Sequence, residues 1–183
     1  MTRSNVAAYA ASNAREIAAV ADTLAEQSAA LDSLVDEIIR ASRVYLTGVG
    51  RSGLAARALA MRLMHIGIDA YAVGEVATPG IDTGDLLIAV TSSGRGTIAE
   101  QARVADGVGA SVAAITTRSD GDLQRLSRTT VVLPIRAGVE TAQHAGSLFE
   151  QSALVVGDAV CRAVQERLGV PTETLDRRHA NLS

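Results

Sequence analysis

Apolar positions recur along this chain with two different periods. From about Ser4 to Arg43, Leu24, Leu31, Leu34, Val35 and Ile38 fall at helical spacings in an alanine-rich stretch without proline or glycine. That pattern predicts one or two amphipathic helices. Short continuous apolar runs follow at Val44–Thr47, Ala70–Val73, Leu86–Val90, Val112–Ile115 and Thr130–Leu133, and each reads as a strand. Helical stretches are expected between them over Ser52–Ile66 (ending near Gly67), over about Thr97–Val108 and near Leu123–Leu126. A long last helix is expected over about Ala142–Leu168, before a polar tail from Pro171. Apolar strands without clear alternation, separated by helices, specify a parallel sheet covered on both faces. Ligands of such sheets sit at the carboxyl ends of the strands, where the loops gather.

Length and composition narrow the class. The 183 residues suit one domain, divided into a helical segment at 4–43, an α/β core at 44–168 and a tail at 169–183. The helical segment either packs on its own domain or forms a subunit contact. A hydrophobic content of 48% excludes intrinsic disorder. No apolar run approaches the ~18 residues of a membrane span, and no signal peptide opens the chain, so a cytoplasmic protein without membrane association is expected. The single cysteine, Cys161, permits neither an internal disulfide nor a thiolate zinc cluster, and it reads as a packed helix residue. All 17 basic residues are arginine. Without lysine there is no Schiff-base chemistry and no P-loop amine. A net charge of −3 and four aromatic residues (Tyr9, Tyr45, Tyr71, Phe149) argue against a nucleic-acid partner.

Two loops carry the candidate chemistry. Gly48-Val49-Gly50-Arg51-Ser52-Gly53 follows the first strand and opens a helix, with Glu75 after the next strand, which is the form of a dinucleotide fingerprint. Against that reading, Ser52 puts a hydroxyl at the helix start, and a second hydroxyl-glycine loop, Thr91-Ser92-Ser93-Gly94-Arg95-Gly96-Thr97, follows the third strand. A pair of such loops better suits one small anion, held by backbone N–H groups and short hydroxyl donors. Helix capping is the alternative for Ser92, Ser93 and Thr97.

The loops also carry a resemblance. Leu46–Gly53, Ala89–Gly94 and Gly146-Ser147-Leu148-Phe149-Glu150 together resemble a sugar isomerase (SIS) domain. Within that superfamily the chain is most similar to the 6-phospho-3-hexuloisomerases. The closest stretches are Met61–Gly67, Val73-Gly74-Glu75 with Thr78-Pro79, and the tail Arg178-His179-Ala180-Asn181-Leu182. The resemblance implies a flavodoxin-like three-layer sandwich with a five-stranded parallel sheet, a homo-oligomer (a tetramer is expected), and no metal or organic cofactor. The implied reaction interconverts D-arabino-3-hexulose 6-phosphate and D-fructose 6-phosphate through an enediol, in the ribulose monophosphate route of formaldehyde fixation. In one respect the chain departs from the family. Its second loop usually reads Ser-Gly-Ser-Gly-Glu-Thr, whereas here Ser92 replaces the second residue, Arg95-Gly96 replace Glu-Thr, and Thr97 comes one place late.

Site residues follow from this. The expected phosphate and substrate ligands are Gly50, Arg51, Ser52, Ser92, Ser93, Gly94 and Thr97, with a surface salt bridge as the alternative for Arg51. Moving a carbonyl between C3 and C2 needs a base that removes a proton from one carbon and returns it to the other. Glu150 matches the family's base, and its small and apolar helix neighbours Gly146, Ser147, Ala153 and Leu154 would partly desolvate it. His65 shares a helical row with Leu54, Ala58 and Met61; it is either a packed histidine or, by resemblance, an acid reaching a subunit-shared site. His179 lies either in a disordered tail or on a lid assisting proton transfer, and His144, at the expected start of the last helix, is a weaker candidate. Another sugar-phosphate isomerase acting on pentose or heptulose phosphates, a non-catalytic sugar-phosphate sensor and a dinucleotide-dependent oxidoreductase remain open on the residues alone.

Overall fold

In this computed structural model, which describes residues 5–181, the apolar runs alternate between two cores. Strands β1 (Val44–Thr47), β2 (Ala70–Ala72), β3 (Leu86–Val90), β4 (Ser111–Thr116) and β5 (Thr129–Val132) form one parallel sheet in the order β2-β1-β3-β4-β5. Val44, Leu46, Leu86, Ile88, Val90, Ala113 and Ile115 point into one core. Tyr45, Leu87, Ala89, Val112 and Ala114 point into the other. Period-two side-chain alternation thus delivers apolar groups to both faces, which is why the strands read as unbroken hydrophobic runs.

Helices α1 (Val6–Asp22), α2 (Ser28–Arg40), α3 (Arg51–Ile66) and α6 (Ser147–Arg167) cover the first face, and α4 (Thr97–Gly107) and α5 (Asp122–Leu126) cover the second. The expected three-layer, flavodoxin-like architecture is therefore present. Because the chain leaves β1 toward β2 and leaves β3 toward β4, the strand order reverses between β1 and β3. The two glycine loops flank that switch point, where such sheets bind ligands.

Local rules explain the boundaries. Gly67, with φ of 109°, caps α3 in the left-handed conformation. Between β1 and α3 the backbones touch: a Cβ on Gly53 would lie 2.7 Å from the Gly48 carbonyl oxygen, and one on Gly48 would lie 2.7 Å from the Ser52 backbone. The N-terminal segment packs on its own chain. Val20, Leu34, Val35 and Ile38 are buried in the first core. The Gln27 side chain pairs with both the N–H (2.8 Å) and the carbonyl (2.6 Å) of Val132, closing the open edge of β5.

Two boundaries differ from expectation. Helix α6 begins at Ser147, five residues after Ala142, because the preceding segment is held outside the helix. Ala145 has φ of 51°, and the carboxylate of Glu16 on α1 accepts from Thr141 Oγ1 (2.6 Å) and Gln143 Nε2 (3.0 Å). These two bonds hold the Glu16 carboxyl below the usual glutamate range. His144 therefore lies in a loop. The tail forms a further helix, α7 (Thr172–Arg178), anchored where Arg178 Nη1 donates to the α3 carbonyls of His65 (3.1 Å) and Ile66 (2.6 Å). Ser4, the expected start of the first helix, and Leu182 of the tail motif lie outside the described residues.

The Gly48–Gly53 approach generates a stability prediction. Gly53→Ala should lower unfolding stability by about 1–3 kcal/mol, the usual cost of overpacking, in urea titrations followed by circular dichroism. An unchanged midpoint would show that the loop can move aside.

Candidate active site

The site begins with two helix starts that carry no side-chain cap. Gly50 (φ 60°) precedes α3 and Gly96 (φ 60°) precedes α4, and neither helix receives a capping hydrogen bond from a side chain. The capping alternative for Ser92, Ser93 and Thr97 therefore does not describe α4. First-turn N–H groups without such caps are suited to an anion. The second loop is shaped by other bonds: Gly94 N–H donates to Thr91 Oγ1 (3.2 Å), and Thr117 Oγ1 donates to the Ser92 carbonyl (2.8 Å). Ser52 is buried, whereas Ser93 is exposed at the mouth.

A cleft of about 460 Å³ opens beside this loop, between Ser92, Ser93, Arg95 and Arg118 on one side and Arg136, Gly146 and Phe149 on the other. Its size is sufficient for a small phosphorylated ligand. Glu150 does not line this cleft but a neighbouring hollow of about 260 Å³ with Arg51, Leu54 and Ala58, and it meets the cleft wall at Gly146, where a Cβ would lie 2.8 Å from Glu150 Oε1. The other carboxylate oxygen of Glu150 accepts from Arg51 Nε at 2.8 Å. The Glu150 side chain is 16% exposed, against 62% for Arg51. The expected desolvation of Glu150 thus comes with an ion pair. Arg51, read as a phosphate or sugar ligand with a salt bridge as the alternative, makes that salt bridge with the candidate base itself.

Not every expected residue lies together. Gly50 lines a small recess with Gly48, Gly53 and Arg57. Thr97 lines an apolar hollow of about 280 Å³ with Tyr45, Val73 and Leu87, away from Ser93. A shift of one residue at a helix start turns a side chain by about 100°, which accounts for the difference. Glu75 pairs with Arg57 (2.9 Å). Cys161 is buried in the core, and burial pushes its thiol up to about 12.

His65 and His179 meet each other but not Glu150 within one chain. Their rings stack with centroids 5.2 Å apart, His65 buried and His179 exposed. His65 ends α3, whereas Arg51 starts it, a separation of about 21 Å along a helix rising ~1.5 Å per residue. Arg118 and Arg136 are cleft-lining residues that sequence reasoning did not single out. Their signal was position, since both follow strands at the loop-bearing end of the sheet.

Among the described residues no cluster of three or more histidine, cysteine, aspartate or glutamate side chains is placed to hold a metal ion. No helix among them is long and apolar enough to cross a membrane.

Comparison with known proteins places this arrangement. The SIS domain family matches residues 37–156. The chain belongs to that family. It is 38% identical over 174 residues to the 3-hexulose-6-phosphate isomerase of Mycobacterium gastri, covering 89% of this chain and 87% of that one. It is 36% identical over 158 residues to the enzyme of the same name from Bacillus subtilis, covering 82% and 85%. A crystal structure from Methanococcus jannaschii, for which a molecular function of 3-hexulose-6-phosphate isomerase has been inferred, superposes with a TM-score of 0.85 at 32% identity, covering 96% and 99%.

The histidine pair generates a pH prediction. Burial, then His179 and Arg62, push the pKa of His65 down. An unfolded histidine takes up a proton near pH ~6.5 that the folded site resists. Stability from this group is therefore full above that pH and is lost as pH falls through the folded value. Wild type should lose stability between about pH 7 and 5.5 more steeply than His65→Gln, by at most about 1.4 kcal/mol per pH unit, in urea unfolding at each pH. Parallel profiles would disprove the coupling.

Proposed function

We propose that the protein is an isomerase that interconverts D-arabino-3-hexulose 6-phosphate and D-fructose 6-phosphate by enediol proton transfer. The observation that carries this reading is similarity across most of the chain to relatives named for this activity. The sheet and its two glycine loops agree with it. In this reading the protein serves formaldehyde fixation by the ribulose monophosphate route in the cytoplasm.

The phosphate is held by the first-turn N–H groups of α3 and α4 together with Ser52, Ser93 and Gly94. Glu150 is the base. It takes the proton from C2 of the 3-hexulose, and the C–H pair becomes the C2=C3 bond as the carbonyl pair moves onto O3. Return of a proton to C3 and net transfer of a proton from O2 to O3 complete the ketose. Arg51 orients Glu150, and substrate oxygens compete for the guanidinium on binding.

His65 and His179 enter this scheme from a second copy of the chain. Ala58 is midway between Arg51 and His65 in sequence, and it is flanked on α3 by the exposed Leu54 (62%) and Met61 (51%). Antiparallel pairing of two α3 helices about Ala58 would bring the histidine pair of one copy to the Arg51 end of the other. The exposed apolar row of α3 supports a homo-oligomer built on such a dimer, and a tetramer of two dimers is the assembly proposed.

Two substitutions test the assignment. Glu150→Gln should keep the fold but lower kcat by about 10²–10⁴, the usual contribution of a general base. Ser93→Ala should raise KM more than it lowers kcat, because the phosphate contact is shared by ground and transition states. Release of fructose 6-phosphate from 3-hexulose 6-phosphate is the assay. Near-wild-type turnover by folded Glu150→Gln would remove Glu150 as the base.

A further inference from the structure

The cleft beside Glu150 contains charge that phosphate binding alone does not require. Arg95, Arg118 and Arg136 all line it, and no carboxylate does. Arg118 is engaged with Asp120 at 2.8 Å, and Arg95 stands on the phosphate loop beside Ser93. Arg136 is on the opposite wall. Its Nη2 donates to the Ala145 carbonyl at 3.3 Å, one residue before the Gly146 against which Glu150 Oε1 rests. Among the described residues Arg136 forms no ion pair with Glu150, whose partner is Arg51 on the far side.

The backbone marks the same spot. Arg136 (φ 65°) and Ala145 (φ 51°) are the non-glycine residues with positive φ among those described, and the hydrogen bond from Arg136 joins them. Such conformations are strained for residues that carry a Cβ and persist where surrounding contacts demand them. Here they hold a guanidinium, with donors to spare, across the start of α6 from the phosphate loop.

Resting on the isomerase reading above, we propose that Arg136 is a further catalytic residue, whose guanidinium binds the oxygen that becomes negative in the enediolate. When Glu150 removes the C2 proton, the carbonyl pair moves onto O3, and Arg136 donates hydrogen bonds to that oxyanion. After the O2 proton has passed to O3 and Glu150 has returned a proton to C3, the new carbonyl forms at C2. Arginine is not deprotonated in proteins, so Arg136 stabilises the charge without exchanging a proton. Arg136 is solvent-exposed at the cleft wall, so what favours it for this step is a fixed donor position, set by its bond to the Ala145 carbonyl, and not the exclusion of water.

The test uses Arg136→Gly, because glycine adopts φ near 65° without strain. Its readouts are kcat, KM, and the affinities for inorganic phosphate and for 4-phospho-D-erythronohydroxamate, whose N–O and carbonyl oxygens mimic O2 and O3 of the enediolate. The expected result is a fall in kcat of about 10²–10³, as for loss of an oxyanion donor. The hydroxamate should weaken by a similar factor, and phosphate affinity should be unchanged. Unchanged kcat would overturn the proposal. So would weaker phosphate binding, which would make Arg136 a phosphate anchor. A fall in kcat with hydroxamate affinity retained would also overturn it, since Arg136 would then act only by positioning Glu150. Failure of the isomerase reading itself is distinguishable, because the unsubstituted protein would then show no turnover.

Discussion

Everything at the loop-bearing end of the sheet depends on how closely α3 approaches the end of β1. With Gly53 against the Gly48 carbonyl, the first turn of α3 starts at the sheet and not beyond it. That places Arg51 at the height of α6, where its Nε reaches Glu150 across 99 residues of sequence. A side chain at either glycine would push the helix outward and separate the pair. The same approach turns the N–H groups of the α3 start toward the switch point of the sheet. Backbone packing and the electrostatics of the site are consequently one constraint.

The other wall is positioned by the N-terminal segment, which contributes no strand to the sheet. Gln27 completes the edge of β5, and Glu16 grips Thr141 and Gln143 just before α6. The Glu16 bonds fix the segment just before Ala145, while the left-handed Arg136 sits in a turn closed by backbone bonds between Pro134, Arg136 and Val139. A helix that looks peripheral thus determines where α6 starts, and with it where Glu150 emerges. Glu37 on α2 adds a buried tie to Thr129 on β5, so the α1–α2 unit is fastened to the sheet at more than one level.

The parts of this architecture that follow from local period and local chemistry were legible in the sequence. Unbroken apolar runs gave the five strands within about one residue, and glycine with hydroxyl residues marked both loops at the switch point. What escaped depended on contacts distant in sequence. Ala142–Gly146 has the composition of a helix start, and bonds from Thr141 and Gln143 to Glu16 and from Arg136 to the Ala145 carbonyl keep it out of the helix. The tail after Pro171 carries few apolar residues, and its helix is fastened by the bonds from Arg178 to the α3 terminus. Arg136 was invisible for a further reason: nothing in its neighbourhood signals a positive φ, which glycine or asparagine would have advertised. That the salt-bridge partner of Arg51 is Glu150 was likewise not legible, because their spacing says nothing about the height at which two helices begin.

The absence of lysine now has a physical meaning for the site. Guanidinium groups stay charged at any pH at which the protein is folded, so Arg51, Arg95, Arg118 and Arg136 supply a fixed positive field. They cannot carry a proton between carbons. Glu150, which meets the cleft wall at Gly146, is a side chain that can. His65 and His179 are held at the opposite end of α3 by the tail helix. In the proposed scheme the work divides by residue chemistry: arginines and helix starts bind and stabilise charge, and one carboxylate moves the proton. Any imidazole that joins this chemistry from the stacked pair must arrive on a second copy, because about 21 Å of helix separates the two ends of α3.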